Sequence, residues 1–182
     1  MIDLELDIKI VERESIKVLS TRQMSASQSF EERYVKLYRE AFSKRLQVTG
    51  APIAIYHGPY FDGELNDVEV ALPVNKDADG VKELPGGTYA CLVHQGPYGT
   101  MPITYALLGA WIAKSDYRIS GAPYDVYVRG GNDKILSHDQ YRTEIYLPIM
   151  KEEAIDLDAI DFDLGEDFGK SAEELLGPPP EQ

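Results

Sequence analysis

An internal repeat limits the fold of this 182-residue chain more than any other feature. Gly50-Ala51-Pro52 recurs as Gly121-Ala122-Pro123, and Tyr56 lines up with Tyr127. Val68-Glu69-Val70-Ala71-Leu72-Pro73-Val74 recurs as Thr143-Glu144-Ile145-Tyr146-Leu147-Pro148-Ile149. The offset grows from 71 to 75, which a longer loop at Ser137–Gln140 absorbs. Each half reads strand, helix, strand, strand. The first strand spans Ile8 to Leu19, interrupted around Glu12–Ser15. A helix follows, with Ser29 and Glu32 in a capping box and an apolar stripe of Phe30, Tyr34, Leu37, Tyr38, Ala41, Phe42 and Leu46. Gly50 marks its stop. In the second half, Thr100–Ser115 predicts a helix that is apolar nearly all round and therefore heavily buried. Asn75–Glu83 reads as a polar linker. The expectation is an α+β fold of tandem strand-helix-strand-strand units, related by a pseudo-twofold, with antiparallel sheets around a central ligand cleft. The domain covers residues 1–150, with halves of about 8–74 and 84–150.

Charge narrows the partners. The net charge is −13, and residues 151–182 hold eleven acids against Lys151 and Lys170, so −9 of it lies in that extension. Such a surface repels phosphate backbones, which argues against direct nucleic-acid binding, and no basic helix suits a membrane. The extension alternates acidic and apolar residues over Ile155–Leu164 and ends in Gly177-Pro178-Pro179-Pro180. It is expected to be partly disordered and to offer a surface to a protein partner. One cysteine, Cys91, excludes an internal disulfide and a cysteine-based zinc site. His57, His94 and His138 are scattered, so no metal or cofactor is expected. The acidic, alternating start of the chain is unlike a secretory signal, and the expected location is cytoplasmic.

The second half carries Pro85-Gly86-Gly87-Thr88-Tyr89-Ala90, His94-Gln95-Gly96-Pro97-Tyr98, Tyr105, Trp111, Tyr124-Asp125-Val126-Tyr127 and the Thr143–Ile149 strand, in that order. This series resembles the GyrI-like domain, the effector-binding domain of AraC-type and MerR-type multidrug regulators. The resemblance spans about residues 8–150 and is more specific in the second half. It implies a cleft that takes lipophilic, often cationic, aromatic compounds, with a glutamate of the last strand as polar anchor. Some stand-alone members hydrolyse cyclopropane-containing electrophilic toxins, and one inhibits DNA gyrase. No helix-turn-helix fits in the first eight residues, so the resemblance is to the stand-alone form.

Glu144 is the leading site residue. Ile145 and Leu147 suit the helix-covered core, so alternation puts Glu144 and Tyr146 on the other face, expected to be toward the cleft. There a carboxylate pairs with a ligand cation or serves as general base on water. Glu69, its repeat partner, either lines the opposite wall or is an exposed strand residue. Tyr56, Tyr98, Tyr105, Trp111, Tyr127 and Tyr146 supply aromatic walls for an organic cation, and Trp111 and Tyr105 can equally fill the core. Binding needs the cleft, the aromatics and Glu144. Hydrolysis needs Glu144 as base, with Tyr146 or Tyr127 holding developing oxyanion charge. A gyrase-inhibitor-like interaction through the acidic surface is a third reading.

Overall fold

The computed structural model describes residues 7–24, 30–58, 67–130 and 135–152. Ser29 of the expected cap and the extension beyond Glu152 lie outside the described residues. Nine strands and two helices follow in chain order. They are β1 (Lys9–Arg13), β2 (Ile16–Met24), α1 (Phe30–Ser43), β3 (Ile53–Tyr56), β4 (Asp67–Pro73), β5 (Val81–Leu84), β6 (Gly87–Gln95), α2 (Met101–Ile112), β7 (Tyr117–Ile119), β8 (Tyr124–Arg129) and β9 (Arg142–Lys151).

The strands form one antiparallel sheet in the order β1-β6-β9-β8-β3-β4-β2-β5, with β7 paired to β9. One continuous sheet replaces the separate sheets expected, because β3 and β8 pair directly, Ile53 opposite Val126 and Ile55 opposite Tyr124. The flanking bonds are reciprocal. Tyr56 N–H donates to Pro123 O and Tyr127 N–H to Pro52 O, both at 3.0 Å. Likewise Thr49 N–H donates to Pro73 O and Ser120 N–H to Pro148 O, both at 2.9 Å. The run β2-α1-β3-β4 has the element order of β6-α2-β8-β9, with β7 added before β8.

Directly opposed residues share a face of a sheet. One row therefore runs Val70, Ala54, Asp125, Ile145, Leu92. Val70, with Leu19 and Leu72, packs under Tyr34, Leu37 and Ala41 of α1. Ile145 and Leu92, with Leu147, pack under Met101 and Leu108 of α2. Both helices thus cover the same face, α1 over β2 and β4 and α2 over β6 and β7. The central strands β3 and β8 lie between them.

Helix α1 stops at Ser43, seven residues before Gly50. Arg45 takes a left-handed φ of 54°, Leu46 N–H donates to Ala41 O at 2.9 Å and Arg45 N–H to Phe42 O at 3.0 Å. This is a Schellman stop made by a non-glycine residue, with buried Leu46 as its apolar clasp. The stripe divides accordingly: Leu37 and Ala41 are buried, whereas Phe42 is 85% exposed. Helix α2 is also less covered than its composition suggests. Only Met101 and Leu108 are buried, and Pro102, Ile103, Ala106, Gly109 and Ala110 face outward. The linker expected at 75–83 runs into a short strand, β5, whose Leu84 is buried against β2.

The helix-free face curls inward. Strands β1 and β2 lie toward opposite ends of the sheet yet are joined by Glu14 and Ser15 alone. Strands β5 and β6 are joined the same way by Pro85 and Gly86. The two connections touch: a Cβ on Gly86 would lie 2.5 Å from Arg13 O and 2.7 Å from Ser15 N. Inside the curl, Val18, Ile53, Ile55, Ala71, Tyr89, Tyr124 and Tyr146 form one apolar cluster. Gly86→Ala must push these backbones apart, so its Tm is expected to fall by about 4–8 °C in a calorimetric scan. An unchanged Tm would show that the connections are free to separate.

Candidate functional site

Between the helices, β3 and β8 present Ala54, Tyr56, Asp125 and Tyr127 to the helix-bearing face. Asp125 is fully buried. Tyr105 on α2 donates its hydroxyl hydrogen bond to Asp125 Oδ1. Asp125 Oδ2 has no hydrogen-bond partner among the described residues, and neither does buried Thr143 Oγ1, which lies on the same face opposite Tyr127. Burial pushes the Asp125 carboxyl up to about 7, although the Tyr105 and Tyr56 hydroxyls pull it back down.

Tyrosines enclose this carboxyl. The Tyr56 and Tyr127 hydroxyls stand 3.3 Å apart. Tyr56 meets Tyr105 edge-on at 6.5 Å, and Tyr127 meets Tyr34 at 6.4 Å and Tyr98 at 5.4 Å. Tyr34 is held by its hydroxyl, which donates to Ile53 O at 2.5 Å. Burial holds the Tyr127 hydroxyl well above its ordinary range, so it stays a neutral donor. The arrangement is a buried carboxylate with one uncommitted oxygen, ringed by π-faces and hydroxyls. Such a group favours a cation over a neutral guest.

The structure separates the residues expected to act together. Tyr56, Tyr105 and Tyr127 gather around Asp125, and Tyr98 packs on Tyr127. Glu144, Tyr146 and Glu69 lie on the opposite, helix-free face: Glu144 opposes Val126, and the row Glu69, Ile55, Tyr124, Tyr146, Cys91 crosses the sheet. Glu144 therefore faces away from the helices and from Tyr127. Its Oε2 accepts from the Tyr146 hydroxyl at 2.7 Å, and Arg142 stands 3.6 Å from Oε1. Burial, with the Glu144 carboxylate behind it, raises the Tyr146 hydroxyl, and the Arg13 guanidinium sits 4.0 Å from the ring centroid.

Glu69 is not the exposed strand residue of the second reading. It is buried and takes Lys82 Nζ at 2.6 Å and His57 Nε2 at 2.8 Å. Burial would raise its carboxyl, but Lys82, Ser20 and His57 together hold it below the ordinary range. Trp111 stacks on Tyr117 at 6.3 Å within the α2 core, away from Asp125. His94 is committed locally: Nε2 donates to Pro97 O at 3.1 Å and Nδ1 shares a hydrogen bond with the Thr104 hydroxyl at 2.7 Å, which ties β6 to the start of α2. The Cys91 thiol is pushed up by burial.

Sequence reasoning passed over Asp125. Its signal was a charge in an apolar strand, where the repeat has Ala54 at the same offset of 71.

The model of the GyrI-like small molecule binding domain matches residues 6–150, and the chain belongs to that family. No curated protein sequence matches it. Among solved structures, the EcmrR C-terminal domain superposes with a TM-score of 0.71 at 21% identity, over 82% of this chain and 100% of that one. In an EcmrR–DNA complex the TM-score is 0.69 at 23% identity over 80% of this chain, and the match spans 58% of the EcmrR chain. A hydrolase from Listeria innocua matches at 0.60 and 13% identity, over 79% of this chain and 91% of its own. SAV2435 bound to tetraphenylphosphonium matches at 0.51 and 15%, over 80% and 94%. At these identities the likeness is one of fold.

The raised carboxyl has a thermodynamic consequence. The unfolded Asp125 loses its proton near pH 4 and the folded one near pH 7. Between those values the folded state binds more protons, so this residue's contribution to stability falls as pH rises and is level above about 7. Asp125→Asn removes the effect. Denaturant unfolding at pH 4 and pH 8 should show the variant gaining about 2–4 kcal/mol on wild type between the two. A constant difference would place the carboxyl in solvent.

Proposed function

We propose that the chain binds a lipophilic organic cation on the helix-bearing face, with Asp125 as counter-ion and Tyr56, Tyr98, Tyr105 and Tyr127 as the aromatic surround. The observation that carries this reading is the uncommitted oxygen of a fully buried carboxylate among tyrosines. The family supports a small-molecule ligand. We also infer that the two halves descend from one duplicated unit, which the reciprocal bonds at Pro52 and Pro123 support. The duplication would place the site where the two units join. A role inside the cell, in taking up or sensing a toxic compound, fits an acidic chain with a single half-buried cysteine.

Binding stores no new charge in the protein. A cation reaching Asp125 replaces the proton that burial favours, so affinity follows the ionised fraction of the carboxyl. Titration calorimetry with tetraphenylphosphonium should show affinity rising about tenfold from pH 6 to pH 8. Asp125→Asn should lose about tenfold or more at pH 8 and flatten the profile. Equal affinity in wild type and variant would remove Asp125 as anchor.

A hydrolase reading rests on a different pair. Glu144 is about a quarter exposed and accepts the Tyr146 hydroxyl, which keeps a carboxylate and a proton donor together on the helix-free face. The Tyr146 hydroxyl is committed to Glu144, however, and would have to leave that carboxylate before it could hold a developing oxyanion. Incubation with conjugated cyclopropanes, followed by mass spectrometry, should therefore return the compounds intact. A gain of one water that disappears in Glu144→Gln would establish the hydrolase instead.

A further inference from the structure

Two buried oxygens on the helix-bearing face lack a donor. Asp125 and Thr143 are fully buried, and Asp125 Oδ2 and Thr143 Oγ1 make no hydrogen bond among the described residues. They stand on neighbouring strands. Asp125 of β8 opposes Ile145 of β9, and Thr143 opposes Tyr127, two positions further along. Diagonal neighbours of this kind lie about 7–8 Å apart, too far for a direct bond but near enough for one small group to reach both. Thr143 is not polar because the core requires it. The other positions of β9 on this face, Ile145, Leu147 and Ile149, are aliphatic and pack under α2.

The donors nearby are already used. Tyr105 gives its hydroxyl hydrogen to Asp125 Oδ1, and Tyr34 gives its own to Ile53 O. The Tyr56 and Tyr127 hydroxyls share a hydrogen bond at 3.3 Å, and Tyr56 also acts on the Asp125 carboxyl. His94 opposes Thr143 from β6, but its ring nitrogens bond Pro97 O and the Thr104 hydroxyl. Arg33, the buried cation of this face, is held under α1, where Nη2 donates to Thr21 O and Val68 O. Two acceptor oxygens therefore face the same place with no N–H or O–H of the chain directed at either.

We propose that Thr143 is a specificity-determining residue of the cation site, and that the site takes a primary ammonium in preference to a quaternary onium. This inference rests on the cation reading above and narrows it to one class of ligand. A primary ammonium carries three N–H donors, so it meets Asp125 Oδ2 and Thr143 Oγ1 together. A quaternary centre carries none and leaves both oxygens unpaired in the interior, which is costly for each. The tyrosine rings attract either cation through their π-faces. The N–H donors are what separate the two.

The test uses the full chain at pH 8 in titration calorimetry, with 2-(2-naphthyl)ethylammonium and its N,N,N-trimethyl counterpart as probes. Wild type should bind the ammonium about tenfold or more tighter. Thr143→Val keeps the shape of the side chain and removes the oxygen. It should weaken the ammonium by about tenfold and leave the trimethyl compound unchanged. Without ligand the same variant should melt about 2–4 °C above wild type, because an unpaired buried hydroxyl is gone. A threonine with a structural role, bonded through water, would give a lower Tm instead. Thr143→Ser retains the oxygen and should retain the preference. The inference is overturned by equal affinity for the two compounds, by a preference that survives Thr143→Val, or by a lower Tm in that variant. Those results leave the cation reading standing as long as Asp125→Asn weakens both compounds. If neither compound binds at millimolar concentration, or if Asp125→Asn changes neither affinity, the cation reading falls and this inference with it.

Discussion

The pairing of β3 with β8 is the interaction on which the rest depends. It joins the strands under α1 to those under α2, closing a single sheet in which the two helices share a face. Because neither helix lies over β3 or β8, their side chains must complete the core themselves. Four positions do so on the helix-bearing face: Ala54, Tyr56, Asp125 and Tyr127. Three of the four are polar-tipped. A buried carboxyl and two tyrosine hydroxyls thus occupy the centre of the molecule, where an ordinary core would place aliphatic side chains.

That substitution has a free-energy cost, carried by Asp125. Burial without a full set of hydrogen bonds destabilises the ionised form, which is why the proton is held to about pH 7. A core chosen for stability alone would use an asparagine or an aliphatic residue there. Strain of this kind belongs to sites that gain it back when a ligand arrives. The helix-free face shows the contrast. Its buried carboxylate, Glu69, is satisfied by Lys82, His57 and Ser20, and its pKa moves the other way. The first carboxylate keeps one oxygen without a hydrogen-bond partner among the described residues. The second is committed to holding a lysine in place.

Much of the architecture was legible along the chain. The repeat at Gly50-Ala51-Pro52 and Gly121-Ala122-Pro123 marks the turns that set the reciprocal bonds of β3 and β8. Alternation in β9 correctly separates Ile145 and Leu147, under α2, from Glu144 and Tyr146. The short strands β5 and β7 were not legible, since four and three residues are too few to show a period. Nor was the end of α1, where Arg45 adopts a conformation usually left to glycine. The outward face of α2 misled for a related reason. An apolar composition indicates burial only if something covers the face, and Ala106, Gly109 and Ala110 have no covering element among the described residues.

The sequence by itself determined which residues share a side of each strand, because side chains alternate with a period of two whatever the strand packs against. It also determined the family and the material of a site, an acid among tyrosines. Tertiary structure alone decided on which side of the sheet each acid lies. Glu144 and Asp125 both sit in alternating strands, and alternation does not say which face of each strand the helices cover. That difference follows from which face the helices cover. That is fixed by contacts between residues some 70 positions apart, Tyr56 with Tyr127 and Ile53 with Val126.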